Sequence, residues 1–396
     1  MSPAKRSRQA PRSRSGSPLL ALLVSEDWYF LSHRLRLAEA AIARGYRVVL
    51  LTRVGRDAES IRRTGVEIVP FDQSRSGINP LAELRTLLRL ARAYGRLRPD
   101  VVFHVALKPV LLGSAAARLG IRRAARVNTL GGLGFAFGGD RGGLRPLRWM
   151  IRQALRLLLS GDEVIVQNTL DRSLLVDAVG LASARVHLIP GAGVDLERFK
   201  PRPEPAYGPI TAVLVARMLW DKGVGELVQA ARILRGRGRA LRIRLVGRID
   251  PANPCHIELA QLEAWSAEGL VEWIGHQDDI VAVWADSHIA VLPSYYREGL
   301  PKALMEAAAC ARPIVTTDQP GCRDAIIPGE TGLLVPPRDP AALADAIERL
   351  ALDRPLRLRL GRTARADAEA RFSDLRINGA ILDLIDRRLA RSVARG

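Results

Sequence analysis

Two carboxylates, Glu298 and Glu306, stand eight positions apart in the segment LPSYYREGLPKALME at 292–306, with Lys302 between them. The segment reads as a strand ending near Pro293, a loop carrying Glu298 and Gly299, and a helix that begins around Pro301. Proline suits the first helical position, where its missing N–H has no partner anyway. The free N–H groups that follow, reinforced by Lys302, make an anion site of the kind that holds a diphosphate. Gly299 lets the backbone approach a ligand closely. Glu298 then stands at the mouth of a cleft, and Glu306 about two turns down the helix. These stations suit an extended ligand with hydroxyls at both ends and phosphates between them, which is the shape of a sugar nucleotide. A second segment, ARMLWDKG at 216–223, places Arg217 at a strand end and Lys222 at the entry to the next helix. Two cations at such a turn clamp a diphosphate and neutralise the charge that grows as it leaves. Arg-x4-Lys alone is a weak signal in an arginine-rich chain; followed by Glu-x7-Glu it is a strong one.

The elements that must position these residues follow from the apolar pattern. Short apolar runs at 19–24, 47–51, 67–70, 101–104, 125–128, 163–167 and 186–189 alternate with helical patterns such as 32–44 and 80–97. The series restarts at 211–216, 243–246, 271–274, 289–293, 314–317 and 333–335. Continuous apolar strands separated by helices indicate parallel sheets covered on both faces. The expected fold is α/β, with two doubly wound parallel-sheet (Rossmann-like) domains at 18–194 and 210–372 facing a cleft at the carboxyl ends of the strands. The proline-rich stretch 195–209 reads as the linker. A disordered basic tail is expected at 1–17, and a terminal helix in 373–396 that packs back on the first domain.

Composition narrows the function classes. With 48% hydrophobic and 26% charged residues, the 396-residue chain is neither disordered nor collagenous. Three cysteines, Cys255, Cys310 and Cys322, are too few to staple a secreted fold, and the expected compartment is reducing cytosol. No apolar run suffices for a membrane span. The apolar run at 19–24 that follows the basic N-terminus is too short for a signal peptide. No Gly-x-Gly-x-x-Gly, Walker A loop or metal-spaced cluster is present, so neither a cofactor nor a metal is expected. The net charge of +19 is unevenly spread: residues 1–199 carry 32 Lys and Arg against 16 Asp and Glu, and residues 200–396 carry 28 against 25. The first half should therefore face something anionic, either nucleic acid or an acidic membrane surface. Arg141, Arg145, Arg148, Arg152 and Arg156 form one stripe, and Arg85, Arg89, Arg92 and Arg96 another. Each stripe reads either as a solvated helix face or as a dock for anionic headgroups.

The chain resembles the retaining glycosyltransferases of family 4, which have the two-domain GT-B fold. The resemblance covers nearly everything after the tail and includes IPGAGVDLERF at 189–199 and GETGLLVP at 329–336. Similarity to bacterial enzymes that elongate polyprenyl-diphosphate-linked sugars, including those adding N-acetylgalactosamine, is carried by EGLPK at 298–302, AAAC at 307–310 and PGCRD at 320–324. The resemblance implies that Arg217 and Lys222 bind the donor diphosphate and that Glu298 contacts the donor sugar. It further implies that Gly299 and Leu300 offer backbone N–H groups and that Glu306 accepts from the ribose hydroxyls. It implies retention by same-face attack, with the leaving phosphate helping to take the acceptor proton and no metal required. Ala311 departs from the pattern, since relatives often carry glycine there.

In the first domain, NTLGGLGF at 128–135 resembles the glycine-rich loop near the nucleotide-sugar, with Gly131, Gly132 and Gly134 letting it close over the donor. Lys108 is placed on the cleft, where it would meet an acceptor phosphate. Arg34 reads as an acceptor-side cation or as a surface cation. His104 reads as a catalytic or orienting residue or as a hydrogen-bonded histidine at a strand end. The other histidines, His33 among them, carry no constellation. The leading expectation is a glycosyltransferase peripheral to the cytosolic face of the membrane, working in O-antigen, capsule or exopolysaccharide assembly. It would move a hexose or N-acetylhexosamine from a UDP-sugar to a lipid-linked acceptor on undecaprenyl or a similar diphosphate. A sugar-nucleotide epimerase and a glycosidase are enzymatic alternatives; the glycosidase has no need of the Arg217 and Lys222 clamp. A nucleic-acid-binding module is disfavoured because aromatics make up only 5% of the chain and no recognised motif accompanies the basic stretches.

Overall fold

The computed structural model describes residues 16–73, 79–137 and 145–394; most of the basic tail and Arg141 lie outside it. Among the described residues every apolar run named above forms a strand. The first domain holds β1 (Leu19–Glu26), β2 (Arg47–Arg53), β3 (Glu67–Pro70), β4 (Val101–Val105), β5 (Ala125–Leu130), β6 (Glu163–Val166) and β7 (Val186–Leu188). Its helices are α1 (Asp27–His33), α2 (Leu35–Ala43), α3 (Ala58–Arg62), α4 (Pro80–Leu97), α5 (Leu107–Gly120), α6 (Gly134–Phe137), α7 (Arg145–Leu159) and α8 (Thr169–Ser173). The second domain holds β8 (Ile210–Val215), β9 (Leu241–Val246), β10 (Glu272–Trp273), β11 (Ile289–Leu292), β12 (Ile314–Thr317) and β13 (Gly332–Val335). It adds α9 (Val224–Gly236), α10 (Leu259–Ala267), α11 (Ile280–Ala285), α12 (Lys302–Ala309), α13 (Pro340–Leu352) and α14 (Arg354–Arg371), and α15 (Asp374–Val393) follows.

Both sheets are parallel, in the orders β3-β2-β1-β4-β5-β6-β7 and β10-β9-β8-β11-β12-β13. The side-chain period of two explains their double coating. Leu20, Leu22 and Val24 of β1 face Phe30, Leu37 and Ala41, whereas Leu19, Ala21 and Leu23 face Leu90, Tyr94 and Ala117. One layer is therefore α1 with α2, and the other α4 with α5; α7 joins the latter through Leu155 and Leu159, which pack with Val110. Ile377, Ile381 and Ile385 of α15 join the α2 layer, so the chain's last helix closes the first domain's core. In both sheets the order reverses beside the first strand, which opens a crevice at the carboxyl ends. The pattern read as one helix over 32–44 is broken at Arg34, whose backbone (φ −129°, ψ −8°) is not helical and separates α1 from α2.

Candidate active site

A cleft of about 870 Å³ runs between the domains; its walls include Trp28, His33, Arg217, Asp250, Lys302 and Glu306. Arg217 follows β8 and pairs with Asp250 at 2.5 Å. Lys222 pairs with Glu298, both side chains being largely buried; neither is a wall residue of the cleft, so Glu298 does not stand at its mouth. Among the described residues Glu298 Oε1 is buried with no hydrogen-bond partner. Pro301 caps α12, so the helix begins at Lys302, one residue later than the proline rule suggests. Lys302 pairs with Glu306 at 3.2 Å and also donates to the Ser32 carbonyl across the cleft at 2.7 Å. Glu306 is nearly buried on the first two turns of α12. Burial raises the Asp221 carboxyl pKa; Lys222 and Arg217 pull it down and Glu298 adds to the rise, so these four groups share one local field.

The loop carrying Glu298, Gly299 and Leu300 touches the first domain at consecutive peptide units. Gly299 N–H donates to the Gly131 carbonyl at 2.7 Å and Leu300 N–H to Gln167 Oε1 at 3.0 Å. Asn168 Nδ2 donates to the Glu298 carbonyl at 3.1 Å, and Thr169 N–H to Asp324 at 3.3 Å. Gly132, at φ +140°, is required by this closeness: a Cβ there would stand 3.0 Å from Gly299 N. Gly321 of the PGCRD segment is needed for the same reason, since its Cβ would fall 1.7 Å from the Gly299 carbonyl. Gly134 likewise abuts Arg297, whose guanidinium donates to the Phe137 carbonyl.

On the first domain's wall the expectations divide. Arg34 is not a surface cation: it is 2% exposed, and among the described residues the one hydrogen-bond partner of its guanidinium is Thr129 Oγ1 at 3.5 Å. His104 is fully buried away from the cleft, with Nε2 3.0 Å from the Tyr94 hydroxyl and Nδ1 2.7 Å from Asn128 Oδ1. Burial pushes its pKa down to about 4. With both ring nitrogens satisfied inside the core, it is the hydrogen-bonded strand histidine. Lys108 does not reach the cleft either, because it pairs sideways with Glu83 of α4 at 2.6 Å. The arginine stripe of α7 is also rearranged. Arg148 and Arg152 turn inward, Arg152 lying 4.5 Å over Phe137, while Trp149, Met150 and Leu157 are 62%, 59% and 74% exposed.

Sequence reasoning missed several wall residues. His33 stacks on Tyr29 at 4.2 Å, and burial, with Lys302, Arg34 and Arg217 nearby, pushes its pKa down to about 3. Arg248 lies 5.8 Å over Trp28 across the cleft. Gln167, Asn168 and Asp250 carry no spacing signal, since their roles exist only once two distant segments meet. The one usable hint was the polar run QN at 167–168 directly after an apolar strand, where doubly wound sheets place ligands.

Two family profiles divide the chain between them: Glycosyltransferase Family 4 over residues 32–198 and Glycosyl transferases group 1 over residues 209–353. The N,N'-diacetylbacillosaminyl-diphospho-undecaprenol alpha-1,3-N-acetylgalactosaminyltransferase of Campylobacter jejuni is 28% identical over 342 residues, covering 83% of this chain and 88% of the relative. The capsular polysaccharide biosynthesis glycosyltransferase CapM of Staphylococcus aureus is 23% identical over 82% of this chain and 88% of its own length. Among solved structures, sucrose-phosphate synthase from Thermosynechococcus elongatus superposes with TM-score 0.77 at 22% identity, covering 94% of this chain and all of that one. HepE of Anabaena, solved with UDP and glucose, gives 0.73 at 16% identity over 93% of this chain and 99% of its own. With both halves of the chain matched and the two parallel sheets facing one cleft, this protein belongs to the family 4 glycosyltransferases of the GT-B fold.

Proposed function

We propose that this glycosyltransferase moves a hexose or N-acetylhexosamine from a UDP-sugar to a polyprenyl-diphosphate-linked glycan, with retention and without a metal, in bacterial surface polysaccharide assembly. The observation that carries the reading is that Arg217, Lys302 and Glu306 line one interdomain cleft, while the Lys222–Glu298 pair shares with Arg217 the local field at Asp221. Arg217, Lys222 and Lys302 supply the positive charge that a leaving diphosphate requires. The unpartnered Glu298 Oε1 is the acceptor atom for a donor-sugar hydroxyl, and Glu306 takes the ribose hydroxyls. In the reaction the bond from the donor's anomeric carbon to the β-phosphate oxygen breaks and one to the acceptor oxygen forms on the same face. The acceptor proton passes to the departing phosphate. The glycine loop and Gln167 hold the Glu298 segment in register from the opposite domain.

The acceptor's lipid places the enzyme on a membrane. No helix among the described residues is long and apolar enough to cross one. The exposed Trp149, Met150 and Leu157 of α7, with Leu81, Leu84 and Leu88 of α4, instead offer apolar wedges in the same layer, flanked by Arg85, Arg92, Arg145 and Arg156. That is the composition of a face that lies in an anionic interface, and the proposed location is the inner face of the cell membrane. A panel of UDP-sugars offered with polyprenyl-diphosphate glycans, read by UDP release, tests the reaction. One sugar should turn over, and Glu298→Gln should lower that turnover by about a hundredfold or more, with UDP affinity little changed. Acceptor-independent conversion of the free UDP-sugar would refute transfer, and wild-type turnover by E298Q would refute the assignment of Glu298.

A further inference from the structure

We infer that Arg34 anchors a second anion subsite, on the first domain's wall of the cleft, that receives the diphosphate of the lipid-linked acceptor. The inference rests on the transfer reaction proposed above and adds where the acceptor's charge is held. Arg34 sits at the break between α1 and α2, and its neighbours Ser32, His33 and Leu35 line the cleft. Its guanidinium is turned to the carboxyl end of β5, where Thr129 precedes the glycine loop. This is the crevice beside β1 and β4 where the strand order reverses.

A guanidinium with so little exposure is costly to leave unpaired. Among the described residues no carboxylate pairs with Arg34, Nε has no partner at all, and the Thr129 contact is at the outer limit of a hydrogen bond. Its 5.8 Å approach to the Phe103 ring returns only part of the desolvation cost. Of the other buried arginines, Arg126 has Asp162 at 2.6 Å, Arg357 has Glu204 at 2.9 Å, Arg312 donates to backbone carbonyls including that of Trp284 at 2.8 Å, and Arg388 donates to the Gly161 carbonyl at 3.0 Å. Arg34, with only the long Thr129 contact, is next to the cleft, and His33 beside it is flanked by Lys302 and Arg217 as well. The cleft wall as a whole is charge-balanced, but Arg34, Lys302 and Arg217 all act on His33, and a local cluster of that kind fits a multiply charged oxyanion. The donor's diphosphate has its own pair of cations in Arg217 and Lys222, which leaves Arg34 for the acceptor's. The planar fork of arginine suits two phosphate oxygens at once.

The test uses the full chain saturated with UDP and titrated with geranyl diphosphate, alongside a separate UDP titration. Arg34→Met should weaken geranyl diphosphate binding about tenfold or more, as expected for a lost charge-assisted bond. It should leave UDP affinity within about twofold and the melting temperature no lower, because it removes a buried charge that lacked a partner. Arg34→Lys, which keeps charge but loses the fork, should fall between. Wild-type affinity of R34M for geranyl diphosphate overturns the inference. So does a parallel loss of UDP affinity, which would give Arg34 to the donor, and so does a marked fall in melting temperature, which would make it a structural group. Failure of the wild type to bind UDP is a different result and strikes the donor reading instead.

Discussion

Asp171→Asn isolates one buried carboxylate that ties the glycine loop to the Glu298 loop. Asp171 is 4% exposed in the first turn of α8 and accepts from Asn168 Nδ2 at 2.9 Å and from the Leu133 N–H. The same Asn168 nitrogen reaches the Glu298 carbonyl. Burial lifts the Asp171 pKa from 3.8 to about 6, against lowering by Asn168, the Leu133 N–H and Arg297, while Asp324 from the other domain adds to the rise. A raised folded-state pKa means that the native chain binds this proton more tightly than the unfolded chain. The stabilisation is therefore complete below pH 3.8 and is lost as pH rises through about 6. Between about pH 7.5 and about pH 4.5 the group contributes a swing of roughly 2 kcal/mol in favour of the wild type, which D171N lacks. The variant also loses one acceptor, a cost of about 1 kcal/mol that does not depend on pH. Urea denaturation of both proteins across that range measures the difference directly. D171N should gain on the wild type as pH rises; a difference that stays flat, or that runs the other way, refutes the reasoning.

Ala311→Gly should stabilise the second domain by about 0.5–1 kcal/mol, the left-handed strain relieved less the backbone entropy lost. Ala311 has φ +57° and closes α12 with N–H bonds from Ala311 to Ala308 and from Arg312 to Ala307, a helix ending that favours glycine. The urea midpoint reads it, and an unchanged or lower midpoint contradicts the strain. Trp149→Glu with Leu157→Glu should cut binding to vesicles rich in anionic lipid by at least about tenfold while leaving UDP affinity intact. Wild-type sedimentation with vesicles would remove α7 from the docking face.

How much was legible in the sequence depended on whether a feature is local. The central strands β1, β4 and β5 were readable because each is a run buried on both faces, whereas β3 and β10 at the sheet edges are partly exposed. The helix at 80–97 was readable because Asn79 and Pro80 supply a cap and a first position, Asn79 Oδ1 accepting from Leu81 and Ala82. The break at Arg34 was not, since a 3.6-residue pattern carries on through it while the guanidinium is drawn inward. The α7 stripe misled for a related reason. Arginine stems are long enough to lie along apolar surface, so Arg152 packs on Phe137 and leaves Trp149 and Leu157 outside. The Glu298 and Glu306 spacing was readable because one loop and one helix carry both. Arg217–Asp250 and Gln167–Leu300 are pairings between segments far apart in the chain, which no spacing rule encodes.

The pairings of the site bear on how a donor enters it. Arg217, Lys222 and Lys302 each hold a carboxylate of the same domain: Asp250, Glu298 and Glu306. The repulsion among these three cations is thus offset before any diphosphate arrives, and the second domain's side of the cleft carries as many carboxylates as cations. Under the proposed reading, a diphosphate exchanges with these carboxylates rather than meeting bare cations, so the gain on binding is the difference between two ion pairings. The same holds for the backbone: Gly299 and Leu300 N–H groups are engaged by Gly131 and Gln167. A donor that takes either group must displace a contact that joins the domains. Donor binding and domain separation therefore draw on one set of bonds, which couples the two without requiring any further hinge device. Because each exchange trades one hydrogen bond for another, selectivity under this reading falls to groups with no protein partner to give up, and among the described residues these include the buried Glu298 Oε1 and Asp221 Oδ1.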